Sequence, residues 1–395
     1  MSQDMDSIKL AIWGIGLYET FLKTAFDLTK PAGLELVCRA DDRLPENMPA
    51  DGLKVVTTEE LASLYARGEV HAVILAVHHS KLAAVSSALM LKGILDLYYF
   101  PHYTYDYTLD RFSYDLLERI EVGKPRLSYL EFHLADHCNL NCKGCAHLSN
   151  ITEPHLTDLS QFRKDLIRLG ELFWGIERVR IMGGEPLLNE ELPEYVKLVR
   201  ETFPDADMHI VSNGLLINPG QQELFRVMRE NHCSFNISLY PPAVKLKDRI
   251  QAVCALYGVR CLFTDPVRIF RTTFDPGGEN DPENSYRHCD VTHCTFLKDG
   301  RLSNCITPFL LPQYEKLYGV TLPVPEGDII DLYEEGLTGV DIMEKLAAPI
   351  KTCRYCDPEH THAYYWEIAG KDRAKPEDYL SESARARLAA ADGRD

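Results

Sequence analysis

The feature that most limits how this chain can fold is a repeated alternation of short apolar runs with helical patterns. KLAIWGIG (9–16), LELVCRADD (34–42) and HAVILAVHH (71–79) are apolar runs that end in glycine, acidic or histidine residues. Strands buried on both faces and closed by a turn read this way. A helical stretch, SKLAAVSSALMLKG, and a fourth strand, DLYYF, follow. Such alternation implies parallel strands joined by crossover helices, so residues 1–104 form a small doubly wound α/β domain. Residues 105–125 are polar and aromatic and read as a linker.

From Leu127 the alternation resumes. LSYLEFHL is a strand, and the next helix has Leu159, Phe162, Leu166, Leu169 and Phe173 at i, i+3, i+4 spacing. RVRIMGG, DMHIVSNG, SFNISLY and VRCLFTD are further strands with helical stretches between them. Each βα unit takes about 25–35 residues, the size of a βαβ building block. There are too few for eight, so residues 126–280 predict a partial (β/α)6 barrel resembling an open TIM barrel. PGGENDPENS (276–285) breaks the pattern, and residues 281–395 form a small cysteine-bearing domain and a tail that ends in a surface helix.

The formal net charge is −17 over 395 residues. A surface this acidic repels nucleic-acid backbones and anionic lipid, which argues against either as a general partner. The N-terminal MSQDMDSIKL has no basic segment leading into an apolar one, and no apolar run of about 18 residues appears. The expectation is a cytoplasmic protein. In a reducing compartment, twelve cysteines point to metal or redox chemistry rather than disulfides.

Three of those cysteines lie in HCNLNCKGCAH (137–147), at C-x3-C-x2-C spacing in the loop after a strand. Four thiolates would saturate a zinc ion or close a four-iron cluster. Three hold three irons and leave the fourth iron open, which chemistry needs and structure does not. The alternative is half of a zinc site completed by His133, His137 or His147.

Cys138, Cys142 and Cys145 resemble the signature of the radical S-adenosylmethionine (SAM) superfamily. The resemblance implies a [4Fe–4S] cluster that binds SAM, whose reductive cleavage gives a 5′-deoxyadenosyl radical. Gly183, Gly184 and Glu185, in IMGGEP, resemble the family's GGE motif. Two glycines let backbone approach closely, and the carboxylate can accept from an ammonium group. Ser212 and Asn213, in VSNG, and Ser238, in NISLY, stand at strand ends where the family contacts SAM. Turn, strand and core packing are the alternative uses of these residues. Gly144 departs from the pattern, since many members have an aromatic residue just before the third cysteine.

Downstream, Cys289, Gly300, Cys305, Cys353 and Cys356 follow C-x10-G-x4-C and then C-x2-C. This resembles the twitch form of the SPASM/twitch extensions and implies an auxiliary [4Fe–4S] cluster; a zinc ribbon is the alternative. Cys294 lies outside that pattern as a core residue, an alternate ligand or a thiol that returns a hydrogen atom. Cys38, Cys233, Cys254 and Cys261 read as core. HTHAYYWEIAG (360–370) supplies aromatic density, as plain packing, as a shield for a cluster or as a substrate wall.

Gly14 and Gly16 follow the first strand as in a Rossmann fingerprint, with Asp41 near the end of the second strand. Glu19 occupies the third glycine position. The domain is therefore Rossmann-like, with either a nucleotide or nucleotide-sugar site or a purely architectural or docking role. The function expected is radical oxidation or epimerisation of a small polar substrate, a carbohydrate or nucleotide-linked sugar, with a low-potential donor such as flavodoxin or ferredoxin. The rivals are a peptide-modifying maturase and a non-catalytic iron–sulfur carrier or sensor.

Overall fold

The structure is a computed structural model that describes residues 7–42, 52–77, 79–100, 112, 117–121, 123–291, 294–369 and 375–392. Most of the linker expected at 105–125 lies outside the described residues. The chain divides into two compact units: one of residues 1–128, 173–177 and 203–207, the other of the remainder.

In the first unit, strands β1 (Ile8–Trp13), β2 (Leu34–Ala40), β3 (Lys54–Val56), β4 (Ala72–Leu75) and β5 (Leu97–Tyr99) stand in the order β3-β2-β1-β4-β5. All of these pairs are parallel, and β6 (Glu118–Arg119) adds an antiparallel edge. Alternate residues of one strand feed opposite layers. Leu10 and Ile12 of β1 and Ile74 of β4 pack with Leu22 and Ala25 of helix α1 (Leu17–Thr29). Ala11, Val73 and Leu75 face the other way, with Leu61 of α2 (Thr58–Ala66) and Leu82 and Leu89 of α3 (His79–Leu91). That two-sided burial is why these strands are apolar at nearly every position.

The second unit is built on one eight-stranded sheet. Its parallel strands are β7 (Arg126–Ala135), β8 (Gly175–Gly183), β9 (Asp207–Ser212), β10 (Cys233–Ile237) and β11 (Cys261–Phe263), in chain order across the sheet. Helices α4 (Leu159–Leu172), α5 (Leu192–Thr202), α6 (Gln222–Glu230) and α7 (Lys247–Leu256) fall between these strands. Phe132 of β7 meets Phe162 of α4 edge-on at 4.8 Å, and Phe162 meets Tyr195 of α5 at 4.8 Å. These rings fix the outer face of β7, so Tyr129, Glu131 and His133, at alternate positions, face the opposite side.

Strand β12 (Ile269–Thr272), next in the chain, does not extend this sheet; it pairs antiparallel with β16 (His362–Tyr365). Exposed Ile269 and Arg271 deny β12 the two-faced apolar pattern of an inner strand. The free edge of β7 is instead taken by β13 (Phe296–Lys298), which continues into β14 (Arg301–Ser303) and β15 (Ile330–Asp331). The β13–β14 turn has Asp299 at φ +49° and Gly300 at φ +74°, as a tight hairpin turn requires. A Cβ on Gly300 would stand 2.7 Å from the Tyr333 ring. Buried Asp165 of α4 accepts from Gly300 N–H at 2.9 Å and from the Tyr333 hydroxyl at 2.6 Å, tying this turn to the barrel. Cys38, Cys233 and Cys254 are buried, and Cys261 is half-buried beside Cys254. Among the described residues no helix is long and apolar enough to cross a membrane.

Candidate metal centre

Parallel strands bring their C-terminal ends to one edge of a sheet, and the loops after β7, β8 and β9 meet there. Gly184 N–H donates to Ala135 O at 2.6 Å and Glu185 N–H to His137 O at 3.1 Å. Gly183 has φ +146°, and a Cβ there would sit 2.4 Å from Ala135 O; on Gly184 it would sit 2.2 Å from His137 O. The close approach that the two glycines permit is thus to the chain's own backbone, at the entry to the cysteine loop.

Glu185 is fully buried, and both of its oxygens are engaged. It accepts from Ser212 Oγ at 2.7 Å, Asn213 N–H at 2.9 Å and Leu187 N–H at 3.2 Å. Burial pushes its carboxyl up to about 7, against the pull of those three donors. Asn213 passes the connection on: Nδ2 donates to Asn139 Oδ1 at 2.7 Å and lies 3.6 Å from Cys138 Sγ. Half-buried Ser238 joins through its backbone, donating to Ser212 O at 3.0 Å. The structure therefore brings Glu185, Ser212, Asn213 and Cys138 into one network, with Ser238 at its margin.

The three sulfurs each face N–H groups. Leu140 N–H lies 3.3 Å from Cys138 Sγ, and the Trp366 indole Nε1–H donates to Cys142 Sγ at 3.2 Å. Cys145 faces the backbone N–H groups of Ser149 and His147. Burial pushes the Cys138 and Cys142 thiols up to about 12 and raises Cys145 as well. Ionising such thiols is costly unless a metal cation compensates. Three thiols of one loop with N–H donors at sulfur suit ligation of an iron–sulfur cluster.

Beyond the expected set, Trp366, Tyr364 and Tyr240 belong to this neighbourhood. The Trp366 ring stacks on Tyr240 at 6.0 Å, and the Tyr364 hydroxyl donates to Lys143 O at 3.0 Å. A Cβ on Gly144 would stand 1.9 Å from that hydroxyl, so the departure at Gly144 leaves room for Tyr364. The YYW run gave compositional notice of aromatics, but nothing in it tied them to a loop some 220 positions earlier.

Cys289, Cys305, Cys353 and Cys356 line one cavity, with Asn304, Thr307 and Thr352 on its wall. Burial raises the Cys305 and Cys356 thiols and pushes Cys353 up to about 12, and each of these three feels other thiols of the set. Thr307 N–H donates to Cys305 Sγ at 3.4 Å. Four thiols around a largely apolar space suit a fully ligated cluster. Among the described residues no three His, Cys, Asp or Glu side chains are drawn together as ligands of a single ion would be. Cys294 lies outside that cavity; burial pushes its thiol up to about 12, and Glu131, Arg180, Cys305 and Cys289 are its titratable neighbours. Of the histidines near the first thiols, His133 pairs through Nε2 with Asp136 at 2.9 Å and its ring stacks on His147 at 5.9 Å.

In the first unit, Asp41 accepts from Ile15 N–H at 3.0 Å, placing its carboxylate against the Gly14–Gly16 turn. Glu19 is buried and paired with buried Arg39 at 3.0 Å.

The site is thus a loop of three thiols after the first parallel strand of the sheet, with the buried carboxylate of Glu185 near Cys138. Residues 133–251 match the Radical SAM superfamily, and the chain carries a radical SAM catalytic domain. It is 30% identical over 113 residues to a GTP 3′,8-cyclase of Campylobacter jejuni subsp. doylei, covering 27% of this chain and 33% of that protein. It is 28% identical over 130 residues to the GTP 3′,8-cyclase of Syntrophomonas wolfei, covering 32% and 39%. The chain thus spans about a third of the length of these curated relatives. Among solved structures, BtrN in complex with AdoMet and 2-DOIA is similar at 18% identity and a TM-score of 0.38, covering 59% of this chain and 94% of that one. Streptococcus suis SuiB bound to S-adenosylmethionine is similar at 15% identity and a TM-score of 0.30, covering 36% and 34%.

Proposed function

We propose that this chain is a radical SAM enzyme that oxidises or epimerises a small polar substrate, a carbohydrate or nucleotide-linked sugar. The observation that carries the reading is the cysteine loop at the end of β7, with each sulfur met by N–H donors. Cys138, Cys142 and Cys145 would hold a [4Fe–4S] cluster with SAM, which supplies a 5′-deoxyadenosyl radical for hydrogen abstraction. Gly183, Gly184, Glu185, Ser212, Asn213 and Ser238 would border the bound SAM, with Glu185 fixing the ends of β8 and β9 to one another.

Cys289, Cys305, Cys353 and Cys356 would hold the auxiliary [4Fe–4S] cluster. With all four positions filled by thiolates, its part would be electron exchange rather than substrate binding. Cys294, near Glu131 and the auxiliary thiols Cys289 and Cys305, is suited to returning a hydrogen atom in an epimerisation. A polar substrate is supported by Tyr129, Glu131 and Arg180: the Tyr129 hydroxyl donates to Glu131, and Arg180 Nη1 donates to that hydroxyl at 3.2 Å. The names of the curated relatives denote a nucleotide substrate, the class to which a nucleotide-linked sugar belongs. For the first unit the reading is an architectural or docking role. Asp41 already accepts from the Gly14–Gly16 turn, and Glu19 and Arg39 neutralise one another below it.

The test is anaerobic reconstitution followed by iron and sulfide counts and assay of 5′-deoxyadenosine, beside a Cys138/Cys142/Cys145→Ala variant. About eight irons falling to about four, with deoxyadenosine release lost, is the expected result for two four-iron clusters. Well-loaded wild type that cleaves no SAM, with nucleotide sugars and sugars present, would sink the reading. Turnover of a peptide but not of these would replace the substrate class.

A further inference from the structure

Residues 364–369 form a strap along the cysteine loop. Lys143 N–H donates to Glu367 O at 3.1 Å and Ala369 N–H to Asn141 O at 2.8 Å. Asn141 Nδ2 returns a bond to Ala369 O at 3.3 Å, and Lys143 Nζ pairs with Glu367 at 2.6 Å. Cys142 and Ile368 form an antiparallel bridge. At the centre is Trp366, held on several sides. Its backbone N–H donates to Arg268 O at 2.9 Å, its ring stacks on Tyr240, and Tyr240 meets Phe270 edge-on at 5.8 Å. The indole Nε1–H that donates to Cys142 Sγ is therefore a fixed donor.

The three cysteines differ in where their donors come from. Cys145 faces N–H groups of its own loop, at His147 and Ser149, while Cys138 receives one from Leu140 of that loop and lies 3.6 Å from Asn213 Nδ2 at the end of β9. Cys142 receives one from a residue 224 positions away. An N–H bond to a thiolate ligand stabilises negative charge on sulfur, and the reduced cluster carries more of it. A donor already held in place needs no reorganisation when that charge arrives.

We infer that Trp366 is a tuning residue of the first centre: its indole N–H, delivered by the strap, holds Cys142 Sγ and raises the reduction potential of the cluster ligated there. The inference rests on the proposed role of Cys142 as a ligand. The full chain, labelled with indole-15N tryptophan, is reconstituted and reduced anaerobically, and the EPR signal that changes on adding SAM marks the first cluster. Pulsed EPR of that signal should give a 15N coupling, absent in Trp366→Phe. At a fixed applied potential the reduced-to-oxidised ratio in Trp366→Phe should fall about tenfold, which for a one-electron couple is about 59 mV. Tyr364→Phe removes a strap hydrogen bond but leaves the indole, and should keep the coupling and move the ratio by less than about threefold.

A SAM-responsive signal without 15N coupling overturns the inference and leaves the radical SAM reading standing. So does a Tyr364→Phe ratio that falls as far as that of Trp366→Phe, because strap looseness would then explain both. A fully iron-loaded wild type with no SAM-responsive signal overturns both. Should Trp366→Phe fail to load iron, the wild-type coupling decides.

Discussion

Glu185→Gln should remove a pH dependence from the strand ends of the metal-free chain. Burial raises the Glu185 carboxyl from 4.5 to about 7. Between those values the folded chain holds a proton that the unfolded chain has released. The associated stability is whole below pH 4.5 and is lost as pH climbs through 7. For shifts of this size the loss between pH 5 and pH 7 is about 2 kcal/mol. Gln does not titrate, so this slope vanishes. It also replaces one acceptor oxygen with an NH2 group, leaving the Ser212 or Asn213 donor without its partner, at about 1–3 kcal/mol. The variant should be the weaker protein at pH 5, with the gap changing by about 2 kcal/mol in its favour by pH 7. A chain of two units need not unfold in one step, so the assay is urea-dependent hydrogen exchange read on peptides from β8 and β9. A wild-type-minus-variant difference that stays constant from pH 5 to pH 7 would refute the burial argument.

Phe132→Ala, at a ring packed on Phe162, should destabilise the second unit by about 3–5 kcal/mol in the same exchange experiment. Glu19→Ala leaves buried Arg39 without that carboxylate and should cost the first unit about 3–5 kcal/mol, most of it recovered in Glu19→Leu/Arg39→Leu. Gly144→Ala drives a methyl into the Tyr364 hydroxyl at a residue of φ +58°; faster exchange of residues 362–369 is the expected readout. ATP, NAD and UDP-glucose at millimolar concentration should leave the melting of the first unit unchanged, since Asp41 and Glu19 already engage the turn and its neighbour.

The parts of the site that could be read from the sequence are those whose logic is local. C-x3-C-x2-C, GGE and SNG each follow a strand within a few residues, and parallel topology alone carries strand ends to one edge. The near-continuous apolar runs of β1 and β4 likewise announced a sheet covered on both faces. Tertiary partners decided the rest. Strand β12 looks like the next barrel strand by position, yet its exposed Arg271 suits the two-stranded pairing with β16. Gly300 entered as one letter of a cysteine pattern, and its conformation answers to a hairpin turn and the Tyr333 ring. The glycines of GGE read as clearance for a ligand; the backbone they clear is that of Ala135 and His137. Trp366 carried no spacing signal, because its partner sulfur lies in another element and far along the chain.

That distance orders events in time. Cys142 and Trp366 are separated by 224 residues, so at about 5–20 residues per second the ribosome delivers the strap roughly 10–45 s after the cysteine loop. Until then the loop has its thiols and its own N–H groups, but neither Trp366 nor Tyr364. Iron loaded onto a nascent chain would enter a half-lined cradle open to oxidants, and a chain truncated before residue 364 would never line it. With Cys138, Cys142 and Cys145 in their proposed role as ligands, assembly of the cluster belongs after synthesis, when the last part of the chain has closed over the cysteine loop.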